Sequence, residues 1–518
     1  MTSLPQFASR DPLLQPPRHQ PLSLRRIVEL LGPLGPRLFG DGEVVVESVT
    51  EDSRRVVPGA LFVARGGTRV DGAQFIEDAR ALGAVAVLCA PGGGADFEPR
   101  IECERLPEAF GWVAQAAFGQ PSRALRVVGI TGTNGKTTTT SLIDQALNGV
   151  GIPSARLGTL GFFIGEERVF ETLTTPAPER LAEAMAIAWE RGVRVLVMEV
   201  SSHALAQHRV AGVTFDVAAF TNLSQDHLDY HGTLEAYGEA KALLFEHYAP
   251  RQSVLQADDA FARKLAKRIR EPLLVSAAGA ADAGLRAEAV RLDAEGIHAT
   301  LGCNGEELKF ASRLLGQHNL ENLLVALGVL VALGVPFSEA ARALEEARSV
   351  PGRLERCDED DDDLVALVDY AHTPDALERV LAALRAVTER PIVCVFGCGG
   401  DRDRRKRAPM ARAAALGADA VWLTSDNPRT EDPAQILADA RLGFEGVSAN
   451  VHEEIDRARA IREAVLSAPE RAVVLVAGKG HETYQLVGTQ VLPFDDRVET
   501  RAALRARREA RTAQERSR

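Results

Sequence analysis

The sequence has few cysteines and few aromatic residues. Its 518 residues include six cysteines, and aromatic residues make up 5% of the chain. The cysteines are irregularly spaced and lack the paired CxxC units of a zinc-binding domain. In the apolar segment CVFGC, Cys394 and Cys398 are interpreted as buried strand thiols rather than as a metal or redox pair. This cysteine usage is typical of a reducing compartment, so we expect a cytoplasmic protein.

The sequence also lacks a long hydrophobic run. Its longest apolar stretch, 323–335, is interrupted by Gly328 and Gly334 and is followed by Pro336. A transmembrane helix needs about twenty apolar residues. The N-terminus has no apolar core of the signal-peptide type. We therefore expect no membrane insertion.

Positive charge is not in excess. The chain has 60 Lys and Arg against 72 Asp and Glu, for a formal net charge of −12. This balance argues against a large nucleic-acid-binding or anionic-membrane surface, and leaves open a local basic pocket for a small anion. The acidic run 358–363 lacks the glycine and the terminal glutamate of an EF-hand loop, so it predicts a solvated loop.

The length predicts three or four domains, and 46% hydrophobic with 25% charged residues is an ordinary globular composition. The boundaries between domains are predicted where the pattern of apolar runs and turn residues changes along the chain. We expect a flexible extension at 1–21, a small α/β domain at 22–123, a central domain at 124–350, a C-terminal domain at 351–505 and a tail at 506–518. No protein partner is evident.

Apolar runs that end in glycine-rich or polar turns recur through the two larger domains. RVVGITGTNGKT, VRVLVMEVSSH and FDVAAFTNLS alternate with helical segments, which indicates a parallel, doubly wound α/β sheet. LVALVDYAH, PIVCVFGCGGD, AVWLTSDNPR and RAVVLVAGKGHE repeat the pattern and predict a second, Rossmann-like domain.

The strongest local motif is a glycine-rich segment between a strand and a helix. It comprises Gly132, Thr133, Asn134, Gly135, Lys136, Thr137 and Thr138. Glycines turn backbone N–H groups toward a phosphate, the lysine bridges the outer phosphates, and the Thr137 hydroxyl is a magnesium ligand. The fit to GxxxxGK[ST] is imperfect because Ile130 occupies the position of the first glycine. The segment is a variant phosphate-binding loop or, alternatively, a plain glycine-rich turn.

Three further residues are candidates for the same chemistry. Glu199 ends a buried strand, as a magnesium-side carboxylate does in an ATPase sheet, although a structural hydrogen-bonding role explains it equally well. His227 lies in the polar segment TNLSQDHLDYH and is either a ligand for a second cation or a structural histidine. Lys241 lies among apolar helix residues. A lysine in such a place, if it has no function, packs its aliphatic stem against the apolar residues and extends its ammonium to solvent. In the last domain, Asp426-Asn427-Pro428-Arg429 follows a strand, and by itself it is typical of a turn before a helix.

Ten motifs in a fixed order resemble those of the Mur ligases of peptidoglycan synthesis. They are GTNGKTT, EVSSHALAQHR, FTNLSQDHLDYHG, YGEAK, GQHNLEN, PGRLE, VDYAHTPD, FGCGGDRD, DNPR and GKGHE. The resemblance covers about residues 22–505. It implies an α/β, three-domain architecture with a central P-loop ATPase parallel sheet and a C-terminal Rossmann-like domain.

The resemblance implies an ATP-dependent amide ligase of cell-wall biogenesis, a process tied to cell shape and cell division. Its expected substrates are UDP-N-acetylmuramoyl-L-alanyl-D-glutamate and meso-2,6-diaminopimelate, joined through an acyl phosphate. It implies Mg²⁺ held by Thr137, Glu199 and His227, and a carbon dioxide-derived carbamate on Lys241 that helps to hold the metal. Lys136, Lys241, His227 and Glu199 form the expected catalytic set.

The remaining site residues are also implied by the resemblance. Beyond the loop, ATP contacts are expected from Asn319, Arg353 and Asp369. Contacts to the UDP-muramoyl dipeptide are expected from Ser53, Thr174, Thr175, Ser201, Gln207 and Arg209. Leu173 departs from some relatives, which have asparagine before the Thr-Thr pair. Contacts to diaminopimelate are expected from Arg402, Asp426, Asn427, Pro428, Arg429, Gly478 and Glu482.

Diaminopimelate differs from lysine in its distal carboxylate, so selecting it requires a cation. Arg429 can donate two hydrogen bonds to that carboxylate, while Asp426 or Glu482 meets the ammonium. Two rival enzymes, a lysine-adding relative and a folylpolyglutamate synthetase, are disfavoured by the DNPR motif. A nucleotide-binding scaffold protein is the alternative outside enzymes. A protein that only binds nucleotide does not need a complete magnesium and amino-acid site, so that alternative is disfavoured by the presence together of Lys136, Glu199, His227, Lys241 and Arg429.

Overall fold

The computed structural model describes residues 20–66, 71–94, 96–224 and 226–516. They form two compact units. One unit contains the chain up to Glu288, with Leu301–Leu308 and Glu321–Glu346; the other contains Ala289–Thr300, Lys309–Leu320 and the chain from Ala347. Within the described ranges, no helix combines the length and apolar character needed to span a membrane.

The first part of the chain forms a five-stranded sheet, with α3 packed on it. In chain order the elements are β1 (Leu22–Ser23), α1 (Leu24–Leu30), β2 (Arg37–Phe39), β3 (Val45–Val46), β4 (Ser48–Thr50), β5 (Ala60–Ala64), α2 (Ile76–Ala81), β6 (Ala84–Cys89), β7 (Arg100–Glu102), α3 (Leu106–Ala117) and α4 (Pro121–Ala124). The sheet order is β2-β7-β6-β5-β4, parallel except for β2. The strand β5 is buried throughout, as its apolar sequence ALFVA predicts.

The middle of the chain is built around the parallel strands β12, β8 and β13. Its strands are β8 (Arg126–Thr131), β9 (Ser154–Gly158), β10 (Gly161–Ile164), β11 (Glu167–Phe170), β12 (Val195–Glu199), β13 (Val217–Phe220), β14 (Gln252–Gln256), β15 (Leu273–Ser276), β16 (Leu285–Leu292), β17 (Ile297–Cys303) and β18 (Glu306–Ser312). Its helices are α5 (Lys136–Gly149), α6 (Pro178–Glu190), α7 (Ser202–Ala206), α8 (Leu228–His231), α9 (Leu234–Glu246), α10 (Ala260–Ala266), α11 (Gln317–Ala332) and α12 (Phe337–Glu345).

The order of strands in this sheet is β11-β10-β9-β12-β8-β13-β14-β15-β16-β17-β18. Strand β8 lies between β12 and β13 and is parallel to both. All three strands are buried, and only Arg126, the first residue of β8, is partly exposed. The carboxyl ends of parallel strands lie at one edge of a sheet, so the loops after β8, β12 and β13 meet there.

The last part of the chain forms a second α/β layer structure. Its elements are β19 (Glu355–Arg356), β20 (Val365–Asp369), α13 (Pro374–Val387), β21 (Ile392–Cys398), α14 (Arg407–Gly417), β22 (Ala420–Ser425), α15 (Pro433–Arg441), β23 (Asn450–Glu453), α16 (Arg457–Ser467), β24 (Val473–Ala477), β25 (Tyr484–Val487), β26 (Gln490–Pro493) and α17 (Asp496–Arg516). The sheet order is β19-β20-β24-β21-β22-β23, parallel except for β19. The predicted α/β class with parallel sheets is confirmed.

The acidic run 358–363 is only partly the solvated loop that its charge predicted, because Glu359, Asp360 and Asp361 are exposed whereas the two ends of the run are held against the protein. Asp358 is buried, and the guanidinium of Arg356 donates to both of its carboxylate oxygens over 2.7–3.2 Å. Arg507 donates from Nε and Nη2 to the two oxygens of Asp363 over 2.9 and 2.7 Å. These pairs offset the mutual repulsion of the carboxylates, so part of the run is held against the protein.

The C-terminal segment differs from the predicted tail. Residues 506–516, expected to be a tail, continue α17, and Arg507 on that helix is buried. The expected N-terminal extension lies outside the described residues except for Gln20 and Pro21, and the Gln20 amide donates to the Ala117 carbonyl over 2.8 Å.

Candidate active site

The glycine-rich loop connects the buried strand β8 to the first turn of α5. Gly132 and Gly135 have φ values of 149° and 83°. A side chain on Gly132 would overlap the Thr221 hydroxyl, and one on Gly135 would overlap the amide oxygen of Asn322. The Asn134 amide donates to Asn222 Oδ1 over 2.9 Å. Glycine is required where the loop turns, and the neighbouring polar side chains fix the loop's shape.

Lys136 is the first residue of α5 and extends back over the loop. Its ammonium donates to the carbonyl oxygens of Gly132 and Thr133 over 2.9 and 2.8 Å. Burial lowers the pKa of Lys136, and the charges of Glu199 and Asp226 partly oppose that shift. A lysine at the start of a fourteen-residue helix, above a loop of glycines, is the arrangement that binds a phosphate chain.

Glu199 is buried at the end of β12, 1% exposed, and is fully engaged in hydrogen bonds. Its Oε1 accepts from the Thr137 hydroxyl over 3.0 Å and from the Thr159 amide over 2.9 Å. Its Oε2 accepts from the Thr159 hydroxyl over 3.2 Å. Burial raises the pKa of Glu199, and these donors and the Lys136 charge oppose the shift. A buried carboxylate in contact with a loop threonine is suited to a divalent cation with oxygen ligands.

Lys241 is buried on α9 and meets the same carbonyl as Lys136. Its Nζ donates to the Gly132 oxygen over 2.7 Å and lies 4.2 Å from the centre of the Tyr237 ring. Burial, followed by the nearby Lys136 charge, lowers the pKa of Lys241 well below its ordinary value. The alternative of a lysine that extends to solvent is wrong, because this side chain is buried and its ammonium bonds the loop carbonyl.

His227 lies in the loop between β13 and α8, with a positive φ of 52°. Its Nε2 is 3.6 Å from Asp226 Oδ2. Its ring centre is 4.9 Å from that of His203 and 6.0 Å from that of Tyr237. About half of the His227 side chain is exposed, so an imidazole nitrogen at this position is accessible to a ligand.

The residues expected to contact the muramoyl dipeptide form a cluster beside Glu199. The Thr175 hydroxyl donates to the Glu199 carbonyl and accepts from the Ser201 amide, both over 3.0 Å. Arg209 donates to the Thr175 carbonyl over 3.0 Å and to Gln207 Oε1 over 2.7 Å. Four of the six expected residues thus form one network with the strand end that carries Glu199.

Of the other two expected dipeptide contacts, Thr174 reaches Glu199 indirectly, through Thr159, and Ser53 belongs to the first part of the chain. The Thr174 hydroxyl is 3.0 Å from that of Thr159, which itself bonds Glu199. Leu173, where the sequence departs from some relatives, is 63% exposed. Ser53 begins a short 3₁₀ helix, Ser53–Arg55, in the first part of the chain. No described hydrogen bond joins Ser53 to the network around Glu199.

The second unit holds the residues expected to bind diaminopimelate. Asn427 is buried, and its side chain donates to Glu482 Oε2 over 3.0 Å. The buried ammonium of Lys479 lies 3.1 Å from both Asn427 Oδ1 and Glu482 Oε2. The Leu486 amide also donates to Asn427 Oδ1 over 2.9 Å. The network orients Asn427 and Glu482 at the ends of β22 and β24.

Both backbone groups of Arg429, its amide and its carbonyl, form hydrogen bonds with the segment 486–488. Its amide donates to the Leu486 carbonyl over 3.0 Å, and its carbonyl accepts from the Gly488 amide over 2.6 Å. Its Nη1 donates to the Gly400 carbonyl over 2.8 Å. The adjacent Gly399 faces side-chain atoms of both Arg429 and Arg402, which lie near each other as expected. Gly478 has a φ of 126°. Its open side faces the Asp426 carboxylate.

The remaining expected ATP contacts lie in the second unit. The buried Asp369 carboxylate accepts from the amides of Leu354 and Ala371, both over 2.8 Å, and burial raises its pKa. The Arg353 guanidinium lies 5.3 Å from the centre of the Tyr370 ring. Asn319, in the first turn of α11, donates to the Leu315 carbonyl over 2.9 Å. Asp369 therefore has a clear role in shaping the turn that presents Arg353.

Several residues of the site were not predicted. Thr159 follows β9 and has no motif of its own. Asn322 and Lys479 lie inside the motifs GQHNLEN and GKGHE. Asn322 is one helical turn after Asn319, so its position on the same helix face was readable. The burial of Lys479, which is 0% exposed, had no signal in the sequence.

The parallel sheets define a multidomain α/β protein whose central strands carry a glycine-rich loop and Lys136 at their carboxyl edge. Three family models match in order: "Mur ligase family, catalytic domain" at residues 45–117, "Mur ligase middle domain" at 130–330 and "Mur ligase, glutamate ligase domain" at 352–480. The chain belongs to the Mur ligase family.

Individual relatives match over most of the chain. The UDP-N-acetylmuramoyl-L-alanyl-D-glutamate–2,6-diaminopimelate ligase of Synechococcus elongatus is 45% identical over 90% of this chain and 96% of its own length. The ligase of the same name from Coxiella burnetii is 42% identical over 89% and 96%. A solved structure of a ligase of that name has 35% identity and a TM-score of 0.73, and the match covers 94% of this chain and 99% of that one.

Proposed function

We propose that this chain is an ATP-dependent, ADP-forming amide ligase that adds meso-2,6-diaminopimelate to UDP-N-acetylmuramoyl-L-alanyl-D-glutamate. One observation carries the proposal. The Thr137 hydroxyl donates to the Glu199 carboxylate, and the Lys136 ammonium lies close enough to that carboxylate to feel its charge. The relatives that are named UDP-N-acetylmuramoyl-L-alanyl-D-glutamate–2,6-diaminopimelate ligase match about nine-tenths of the chain at 42–45% identity. We place the reaction in cytoplasmic peptidoglycan precursor synthesis, which fits six buried, unpaired cysteines.

The three family segments suggest a division of labour. We assign binding of the UDP-sugar to residues 22–123, ATP to 124–350 and the incoming amino acid to 351–505. Ser53 belongs to the first of these domains, the loop after β8 to the second, and Arg429 to the third. The order of the three family matches along the chain supports this assignment.

Amide formation from a carboxylate and an amine needs an activated acyl group. The D-glutamyl carboxylate attacks the γ-phosphorus of ATP, ADP leaves, and an acyl phosphate forms. The amine of diaminopimelate then attacks the acyl carbon, the C–O bond to phosphate breaks, and the nitrogen loses one proton to the leaving phosphate or to water as the amide forms. Lys136 and the N–H groups at the start of α5 hold the negative charge of the phosphate chain and lower the cost of bringing two anions together.

The residues around Glu199 fit a magnesium ion. Thr137 and Glu199 offer oxygen ligands 3.0 Å apart, and a buried carboxylate is stabilised by a nearby cation. We assign these two residues to a first magnesium site and His227 to a second. Bound magnesium would neutralise phosphate charge during transfer.

The proposed carbamate on Lys241 is supported by the surroundings of its ammonium. Lys136 and Lys241 both donate to the Gly132 carbonyl, so two positive charges compete at one place. Burial and Lys136 favour the neutral amine, as the lowered pKa of Lys241 indicates. A neutral amine adds to carbon dioxide, loses one proton and becomes a carbamate anion. That anion would complement Lys136 and serve as a magnesium ligand.

We assign amino-acid selection to Arg429, with Arg402 as a second cation near it. Arg429 is fixed by β25 and by the Gly400 carbonyl, so its guanidinium is positioned before any ligand arrives. Asp426 and Glu482 are assigned to the distal ammonium. Lys479 and Asn427 hold Glu482 in place.

The test measures ADP release by the full chain with UDP-muramoyl dipeptide, ATP and Mg²⁺, offering diaminopimelate or lysine in parallel. We expect ADP release coupled one-to-one to tripeptide formation with diaminopimelate, and little with lysine. Equal turnover of lysine would replace the proposed substrate by that of a lysine-adding relative. ATP binding without product from either amine would identify a nucleotide-binding protein instead.

A further inference from the structure

A cluster of metal-ligating side chains has no part in the ligase chemistry. Glu108 lies on α3, His208 follows α7, and His247 follows α9. One ligand atom from each lies within 4.8 Å of the other two. His208 Nδ1 is 3.6 Å from Glu108 Oε1, and the two imidazole ring centres are 5.9 Å apart. Three different chain segments thus converge on one small volume.

Close backbone packing holds Glu108 and His208 at this separation. Gly111, one helical turn after Glu108, packs so tightly that a side chain there would overlap the Ala211 carbonyl. Gly212 packs back against the Gly111 carbonyl. His208 itself has a φ of 54°, a left-handed conformation that a non-glycine residue retains only when its surroundings fix it.

The cluster contains buried polar atoms that lack hydrogen bonds. Among the described residues, His208 Nδ1 and the hydroxyl of Tyr248, the residue after His247, are two of the buried side-chain atoms that make no hydrogen bond. Arg105 pairs with Glu108 Oε2, so it leaves Oε1 directed at His208. A buried nitrogen without a partner is costly unless a ligand satisfies it.

We propose that Glu108, His208 and His247 form a binding site for a divalent transition-metal ion of the zinc type. Two imidazoles and one carboxylate are a common zinc donor set, whereas magnesium and calcium favour oxygen ligands. Ligand atoms in a tetrahedral zinc site lie about 3.3 Å apart. The three ligand atoms lie within 4.8 Å of one another, and the 3.6 Å between His208 Nδ1 and Glu108 Oε1 is already close to this spacing, so binding requires a small inward shift, for which the exposed His247 is best placed. The ion would link α3 to the segments that follow α7 and α9.

Zinc binding by the chelator-treated full chain tests the proposal, with calorimetry for affinity and thermal unfolding as an independent readout. We expect the wild type to bind one equivalent of zinc and to gain thermal stability. His247→Gln should weaken binding by about tenfold or more and remove the gain. His452→Gln changes another exposed histidine and should behave as the wild type. Ligase activity in magnesium should be unchanged in His247→Gln.

A second ligand variant and a competing cluster make the test decisive. His208→Asn suits the positive φ and should lose zinc as His247→Gln does; if it fails to fold, the exposed His247 decides alone. The rings of His203, His227 and His231 also lie close together. Zinc retained by His247→Gln but lost by His227→Gln would place the ion there and overturn the proposal. Absence of zinc binding by the wild type would overturn it as well.

Discussion

The Thr137 hydroxyl donates to Glu199 Oε1 over 3.0 Å, so the second residue of α5 meets the last residue of β12. The contact depends on the sheet order, in which β12 lies beside β8 and Glu199 is paired with Ile130. Because both strands end at the same edge, the helix that follows β8 begins next to the carboxylate that ends β12. The parallel sheet therefore brings a hydroxyl, a carboxylate and the Lys136 ammonium to one place.

Lys136→Ala should lower the rate of ADP release by at least about 10²–10³-fold, because water cannot replace a fixed cation among the phosphates. The variant should remain folded, since α5 tolerates alanine well. Steady-state ligation and thermal unfolding are measured together. Lys264→Ala, which removes an exposed lysine from α10, is the matched control and should retain full activity. A folded Lys136→Ala enzyme with near-normal turnover would refute the phosphate-loop assignment.

Lys241→Ala should also impair ligation strongly, since it removes the proposed carbamate. A small carboxylate such as formate or acetate should restore part of the activity by occupying the vacated space. Lys136→Ala is the control here, because an added anion cannot replace a cation. Mass analysis of active enzyme under mild, non-acidic conditions should find the mass of added carbon dioxide on Lys241. An unmodified lysine in fully active enzyme would contradict carbamylation.

The strand and loop order of the site could be predicted from the sequence, but its side-chain burial could not. Apolar runs ending in GITGTNGKT and MEVSSH located Gly132 and Glu199 at one sheet edge, because parallel strands must share that edge. Lys241 was different. The sequence places it among apolar helix residues, where a lysine usually extends to solvent, and its burial depends on packing against Tyr237 and the loop after β8. Long-range packing of this kind leaves no local pattern.

The prediction of a solvated loop at 358–363 failed at the two ends of the run for a similar reason. Adjacent carboxylates predict a solvated loop when only neighbouring residues are considered. The partner of Asp363 is Arg507, on α17, 144 positions away. The resemblance to a known family supplied the expected dipeptide contacts, yet Thr159, which follows β9 and bonds Glu199, has no motif to mark it.

Lys479→Met should weaken diaminopimelate use without disturbing ATP binding. The buried ammonium bonds both Asn427 and Glu482, so its loss frees the Glu482 carboxylate from its present position. We expect KM for diaminopimelate to rise by about tenfold or more, because a buried charge-assisted hydrogen bond contributes about 1.5–3 kcal/mol. The KM for ATP should change little. Equal changes in both KM values would indicate a general loss of structure instead.

Glu179 gives the fold a dependence on pH. Burial, and then the Glu51 charge, raise the pKa of Glu179 from 4.5 to about 7. The folded protein therefore holds a proton that the unfolded chain releases above pH 4.5, so stability is present at low pH and is lost as pH rises toward 7. The difference corresponds to at most about 3.4 kcal/mol.

Chemical denaturation at several pH values measures this effect. Glu179→Gln stays neutral, so the free energy of unfolding of the wild type should fall relative to that of the variant between pH 4.5 and 7. Glu190→Gln, on the exposed end of the same helix, should follow the wild type. Parallel pH profiles for wild type and Glu179→Gln would show that the carboxyl is not protonated in the fold.

Arg429→Ala should remove most of the preference for diaminopimelate over lysine. In the wild type the guanidinium is fixed by the Gly400 carbonyl and by pairing with β25, so a ligand without a distal carboxylate leaves that charge without its counter-ion. A charge-assisted bidentate pair contributes about 2–4 kcal/mol, which corresponds to about 30- to 700-fold in selectivity. Competing-substrate values of kcat/KM are the measurement. The loss should come chiefly from weaker use of diaminopimelate, since lysine never gains the bond.

Arg412→Ala, on the exposed face of α14, should leave selectivity intact. Unchanged selectivity in Arg429→Ala would transfer the discriminating role to another cation, of which Arg402 is the nearest candidate, because its side chain also faces Gly399.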